Sequence, residues 1–301
     1  MTVDVDDYTE LAELWEVSLR GANRSPHTID FYLTGLRQFA RWCQHKGIDP
    51  DLTRDNAEAF TASLLADGKS SGTVAGRQTA LRMFSRWLSR RDPPEIDHDQ
   101  LATLEPVKLE QKVVEGLTPA EVAALLQACS GKGFTAARDL AIVRLMLATG
   151  ARASEVIDMK TWDVQVGAGS AVITKGKGGK GRRIGFGPKT AEAIGRYLRA
   201  RKRHALAERP ELWLAARRRV LTYDGLYTAL QRRAETGGIS GFHPHRLRHT
   251  WAVQWSREGG SMTGLMAAGG WVTMEMPSRY FGSAAQELAA EEAKRLGLGE
   301  F

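Results

Sequence analysis

Cysteine is almost missing from this 301-residue chain, with only Cys43 and Cys129 present. Two cysteines cannot build a disulfide framework, so a reducing, cytoplasmic setting is the expectation. Long apolar runs are missing too: none approaches the roughly 18 residues that a membrane span requires. The first eleven residues are acidic where a secretory leader would be basic and then apolar, so no membrane partner is expected. No Asp/Glu run is spaced to hold magnesium and no Cys/His pair is spaced for zinc. A phosphate-cradling loop and a dinucleotide fingerprint are also lacking. The glycine-rich stretch from Lys175 to Gly181 has no Ser or Thr after its lysines and does not fit the phosphate-loop spacing. The expectation is therefore no metal and no cofactor. Any phosphoryl chemistry must be stabilised by cationic side chains.

What is present is ordinary globular composition, 43% hydrophobic and 26% charged, which excludes a disordered or collagen-like polymer. The length suits two domains. The net charge of +7 is unevenly placed. Residues 1–105 hold 12 Lys+Arg against 17 Asp+Glu, a net of −5, whereas residues 106–301 hold 30 against 18, a net of +12. A domain at +12 favours polyanions through counterion release, and nucleic acid is the usual partner.

Four helices are predicted within residues 6–91. The first carries a stripe of Leu11, Leu14, Trp15 and Val17. The second follows Ser25-Pro26, carries Ile29, Leu33, Leu36, Phe39 and Ala40, and stops at Gly47. Thr53 caps the third, and Ser71-Gly72 introduces the fourth, with Leu81, Phe84 and Leu88 inward. On that fourth helix Arg82, Arg86 and Arg90 recur every four residues, about 6 Å per step. This is either a phosphate-tracking stripe or a solvated face. Residues 92–115, with Pro93-Pro94 and Pro106, read as an interdomain linker.

The second half opens on Thr118-Pro119-Ala120-Glu121, a capping box. The apolar run from Asp139 to Thr149, stopped by Gly150, is the expected central helix. Short strands are predicted around Val164, Ala171–Ile173 and Arg183–Phe186, with the lysine-bearing glycine turn between the last two. Helices resume over 190–203, 224–233, 245–258 and 284–296. The fold class is thus mainly α with a small antiparallel sheet.

Candidate chemistry sits at the sharp points of this layout. Arg152 follows the helix stop at Gly150, with Glu155 three residues on to brace it. Lys177 lies at a hairpin tip. His245 and Arg248 share a helix face, Trp271 follows Gly269-Gly270, and Tyr280 closes the series. Two arginines can fork the non-bridging oxygens of a phosphate, and a tyrosine supplies a nucleophile.

The order Thr149-Gly-Ala-Arg152-Ala-Ser-Glu155, Gly176-Lys177-Gly178, Pro244-His245-Arg246-Leu247-Arg248-His249, Gly270-Trp271 and Tyr280 resembles the successive signature boxes of the tyrosine recombinases, the phage integrase and Xer-type family. Ser25-Pro-His-Thr-Ile-x-x-Tyr32 and the stretch from Ser71 to Trp87 are similar to that family's core-binding domain.

The resemblance implies an all-helical core-binding domain over 1–105 and a catalytic domain over 116–301. It implies that Tyr280 attacks a DNA phosphodiester to form a 3′-phosphotyrosyl link without metal or ATP. Arg152 and Arg248 would clamp the phosphate, and Glu155 would orient Arg152. Lys177 would protonate the leaving oxygen, with Lys175 and Lys180 as competitors that otherwise bind DNA beside Arg82, Arg86 and Arg90. His245 would assist deprotonation of Tyr280. Trp271 stands where many relatives have a second histidine, and its indole would position phosphate and pack. His243 and His249 match no direct role, and His249 is expected at most behind the site.

The partners implied are double-stranded attachment sites, three further copies in a tetramer on paired DNA, and an accessory directionality factor. A C-terminal helix with Leu288, Ala289, Leu296 and Leu298 would dock into a neighbouring subunit. The short start implies a two-domain form without an arm-binding domain. Gly-Gly-Trp in place of the Xer Leu-Gly-His favours integration or excision of a mobile element. The alternatives are an Xer-type dimer resolvase and a non-catalytic regulator bound at an attachment site.

Overall fold

The computed structural model describes residues 5–109, 116–174 and 181–282. The expected loop lysines Lys175, Lys177 and Lys180 and the expected tail helix beyond residue 283 lie outside them. The chain divides into two compact units, Met1–Lys112 and Val113–Phe301.

The first unit is built from α1 (Val5–Gly21), α2 (Pro26–Lys46), α3 (Arg54–Ala66) and α4 (Ser71–Leu88). Hydroxyl caps start three of these helices: Ser25, Thr53 and Ser70 each accept a backbone N–H from three residues on. The cap of α4 is thus Ser70, one residue earlier than the sequence suggests. Leu36, Phe39, Phe60, Leu81 and Phe84 form the centre and are fully buried.

Three expectations change here. On α1 the inward stripe is Tyr8, Leu11, Trp15 and Leu19, while Leu14 and Val17 are exposed. The set 8, 11, 15, 19 keeps the helical period, and its polar-tipped Tyr8 disguised it. The stretch expected as linker also folds back. Leu101 and Leu104 join the core, Ser85 Oγ donates to Asp99 Oδ1 at 2.5 Å, and Gln78 bonds the backbone at Glu105 and Val107. On the arginine stripe, α4 ends at Leu88, so Arg82 and Arg86 are helical and Arg90 sits in the turn beyond.

The second unit contains α5 (Pro119–Ala128), α6 (Phe134–Thr149), α7 (Ala153–Asp158), β1 (Val164–Gln165), β2 (Ser170–Ile173), β3 (Arg182–Gly185), α8 (Pro188–Arg201), β4 (Leu214–Ala215), β5 (Arg219–Val220), α9 (Tyr223–Thr236), α10 (His245–Arg257), α11 (Met262–Gly269) and α12 (Glu275–Gly282). The Thr118/Glu121 capping box forms as expected. Helix α6 is the buried centre, with Ala141, Ile142, Val143, Leu145 and Met146 sealed inside. Strands β1–β2–β3 form an antiparallel sheet in which Ala171 pairs with Val164 and Ile184. The β4–β5 hairpin and helices α7, α11 and α12 are too short to show a period in the sequence. Among the described residues, no helix is long and apolar enough to cross a membrane.

Candidate active site

Three interruptions of regular structure aim site residues, and one further helix carries the tyrosine. Helix α6 ends on Gly150, whose φ of 61° reverses the chain. Arg152 emerges as the cap residue of α7. A side chain at Gly150 would meet Trp251 on α10, because a Cβ there would lie 2.0 Å from the indole. Glycine is therefore required twice over, by the turn and by the close approach. Helix α11 ends on Gly269 and Gly270, the latter again left-handed at φ 65°, and delivers Trp271. Helix α10 begins at His245 and places His245, Arg248 and His249 on one face through spacings of three and four. Helix α12 carries Tyr280.

Glu155 is the anionic hub and is almost fully buried. Its Oε1 accepts from Arg152 Nη1 at 2.8 Å and from Arg182 Nη1 at 2.9 Å. Its Oε2 accepts from Arg182 Nη2 at 2.7 Å and from the Arg152 backbone N–H at 2.8 Å. Burial alone would push this carboxyl up, but the hydrogen bonds from Arg182 and Arg152 outweigh it and hold Glu155 below the usual range. It is ionised at neutral pH.

Arg248 is the other buried charge, 1% exposed. Its Nη1 donates to Gly150 O at 2.7 Å and its Nη2 to Gly269 O at 2.8 Å. Its guanidinium carbon lies 3.8 Å from the centre of the Trp271 ring. Burial and the neighbouring Arg152 push Arg248 down to about 9, still charged at neutral pH. Arg152 Nη2 donates to Gly270 O at 3.4 Å, and Arg182 Nε to Ala268 O at 2.7 Å. The carbonyls at the end of α11 thus bind all three arginines. Arg152 and Arg182 share the Glu155 carboxylate while Arg248 is held by backbone carbonyls, and the excess positive charge of the three suits an anion such as phosphate.

Tyr280 is buried, with its hydroxyl 2.6 Å from His249 Nδ1. His245 meets His249 edge to face, ring centres 4.5 Å apart at 90°. Burial, helped by neighbouring groups that are or can become positively charged, pushes both histidines down to about 4: Arg248, His243 and Arg152 act on His245, and His245, His243 and Arg248 on His249. Both are neutral at pH 7. The Trp271 ring stacks on Trp251 at 13° and lies 5.9 Å from the Tyr280 ring.

The structure brings together Arg152, Glu155, His245, Arg248, Trp271 and Tyr280. Two members were not assigned from sequence. Arg182 had a signal: strand alternation puts it on the same face as buried Ile184, an inward charge. His249 had one as well, four residues after His245 and next to Arg248 on the same helix.

Family models match on both units. The phage integrase family model covers residues 115–287. The chain belongs to the phage integrase family. A model described as the phage integrase N-terminal SAM-like domain covers residues 12–92. Curated relatives in sequence include the tyrosine recombinase XerD of Ralstonia nicotianae, 31% identical over 170 residues (56% of this chain, 55% of the relative). Another is XerC of Staphylococcus carnosus, 30% identical over 182 residues (60% of this chain, 61% of the relative). The matched stretch therefore spans little more than half the length of these relatives. In fold, the chain is similar to the XerH site-specific recombinase bound to its difH substrate, with a TM-score of 0.74 at 19% identity over 94% of this chain and 84% of that one. It is also similar to the Tn1549 transposon integrase in complex with transposon right-end DNA, with a TM-score of 0.69 at 17% identity over 95% and 99%. In this phage integrase family member, as in those neighbours, a helical N-terminal domain is joined to a mixed α and β second domain.

Proposed function

We propose that this chain is a cytoplasmic site-specific DNA recombinase that cleaves and rejoins DNA through Tyr280, acting as a tetramer on paired sites. The observation that carries the reading is the buried Tyr280 hydroxyl on a neutral histidine, in a site where Arg152 and Arg182 share the Glu155 carboxylate and Arg248 is held by backbone carbonyls. A tyrosine with a pKa of ~10 is a poor nucleophile until it loses its proton among cations. Tyr280 Oη attacks phosphorus and the bond from phosphorus to the 5′-oxygen breaks. The 3′-phosphate stays on the protein while the 5′-hydroxyl leaves. Arg152 and Arg248 neutralise the charge that grows on the non-bridging oxygens, and groups of this kind contribute about 3–4 kcal/mol each. Arg182, tied to Glu155 with Arg152, keeps that clamp in register. Trp271 holds the Arg248 guanidinium against its ring face.

Lys177 supplies the leaving-group proton in this proposal, with Lys175, Lys180, Arg82, Arg86 and Arg90 holding backbone phosphates. Integration or excision of a mobile element is the favoured biological setting, because Trp271 departs from the Xer pattern. An accessory factor would set direction. The XerC and XerD relatives favour a chromosomal resolvase as the second reading. The recovered target decides between them: it lies at the ends of a mobile element or stands alone in the chromosome.

The test uses a pool of nicked duplexes with a randomised centre, incubated with the protein in EDTA and resolved under denaturing conditions. A covalent protein–DNA adduct is expected with wild type and none with Tyr280→Phe. Retained DNA binding without an adduct would make the protein a regulator instead.

A further inference from the structure

Resting on that reading, we infer that His249, the residue after the clamp arginine, is the group that takes the proton from Tyr280. The geometry is direct: Nδ1 of His249 lies 2.6 Å from the Tyr280 hydroxyl, in a buried pair. His245, the histidine that the family resemblance assigns to this step, packs edge-on behind His249.

A general base must reach the proton it removes within about 2.6–3.2 Å. It must also start unprotonated. The charged and titratable groups around His249 meet both needs. Arg248, His245 and His243 lie on α10 or just before it and disfavour a proton on His249, while Tyr280 faces it from α12. A neutral ring with its proton on Nε2 leaves Nδ1 as the acceptor for the tyrosine O–H.

The step balances. The Tyr280 O–H bond breaks and its proton goes to Nδ1, giving an imidazolium. The tyrosine oxygen bonds phosphorus, and the 5′-oxygen leaves with a proton from a lysine ammonium of the 175–180 loop. On rejoining, the 5′-hydroxyl attacks phosphorus and gives its proton back to the lysine amine, and the imidazolium returns its proton to the departing tyrosine oxygen. The phosphate that enters beside Arg248 adds negative charge next to the ring, so the imidazolium is more stable in the cleaved state than in the free protein. His245 positions the His249 ring and itself carries no proton from the nucleophile.

The experiment compares His249→Asn with His245→Asn, using the nicked duplex recovered from the randomised pool. Asparagine at 249 keeps a hydrogen-bonding atom near the position of Nδ1 but cannot accept a proton at neutral pH. Single-turnover cleavage by His249→Asn is expected to fall about a hundredfold or more at pH 7. The deficit should shrink as pH rises toward the tyrosine pKa of ~10, since hydroxide then replaces the base. Fluorinated tyrosine of lower pKa at position 280 should restore much of the rate. A gel-shift and a thermal midpoint on each variant show that DNA binding and folding persist. A deficit that is constant with pH, or unrescued by the fluorinated tyrosine, would make His249 structural and overturn the inference. Wild-type rates in His249→Asn, with the pH-dependent loss in His245→Asn, would overturn it in favour of His245. Absence of an adduct from the wild type would instead bring down the recombinase reading itself.

Discussion

Around Phe84 in the first unit, Tyr8, Trp15 and Trp87 pack ring on ring with centres 5.1 to 5.9 Å apart. Around Trp271 in the second unit, Trp251 and Tyr280 pack at similar spacing, but a guanidinium occupies one face of the central ring. In the first cluster the guanidinium, that of Arg91, lies over the outer Trp87 ring, 4.7 Å from its centre. The second buries a cation between two backbone carbonyls and an aromatic face, and positive charge held there suits an anion.

The sharpest way to break this contrast is Arg248→Met, a substitution of similar length without charge. Cleavage is expected to fall at least a hundredfold to a thousandfold, while the unfolding midpoint falls only modestly, because Gly150 O and Gly269 O lose their donors. A variant that lost stability and kept cleavage would invert the assignment. Phe84→Ala is the mirror experiment. It should destabilise the first unit by about 3–5 kcal/mol in denaturant unfolding, and any loss of cleavage should track the fraction unfolded.

A smaller effect comes from pH. His245 and His249 are held near 4 in the folded protein, below the ordinary 6.5. The unfolded chain therefore binds these protons more tightly. Stability is complete above pH 6.5, falls as pH drops through that value and continues to fall toward 4, where the folded-state histidines also protonate. Glu155, held low, adds a further loss below the carboxylate range as its bonds to Arg182 and Arg152 fail. In the first unit, burial pushes the Tyr8 hydroxyl up and the Cys43 thiol to about 11, so both stay protonated throughout this window. Unfolding followed between pH 7 and 4 should show the His-linked part of the loss diminished in a His245→Asn/His249→Asn double variant.

Much of this was legible in the chain, for identifiable reasons. Gly47, Gly150, Ser25 and the Thr118/Glu121 box announced helix ends because their chemistry is local. The boxes of Arg152, His245 and Trp271 were legible because each sits at such an end. The Tyr8–Leu19 stripe was harder to read, since a buried tyrosine carries a polar tip and the exposed Leu14 and Val17 suggested a different face. The fold-back of Leu101 and Leu104 was hidden because their partners lie on distant helices and prolines nearby mark loop in any context. The roles of Arg182 and His249 depend on atoms from three or four separate segments. Spacing placed His249 on the right face, but only the approach of α12 selects it over His245.

The central claim is that Tyr280 is the atom donor in a covalent bond to DNA, and mass spectrometry of the denatured adduct tests it most directly. Nuclease treatment followed by trypsin should yield the peptide that begins at Tyr280, after Arg279, and runs to Lys294, carrying a nucleotide 3′-phosphate on the tyrosine. A nucleotide found on any other residue, or a Tyr280 peptide always unmodified in a preparation that cleaves DNA, would contradict the account.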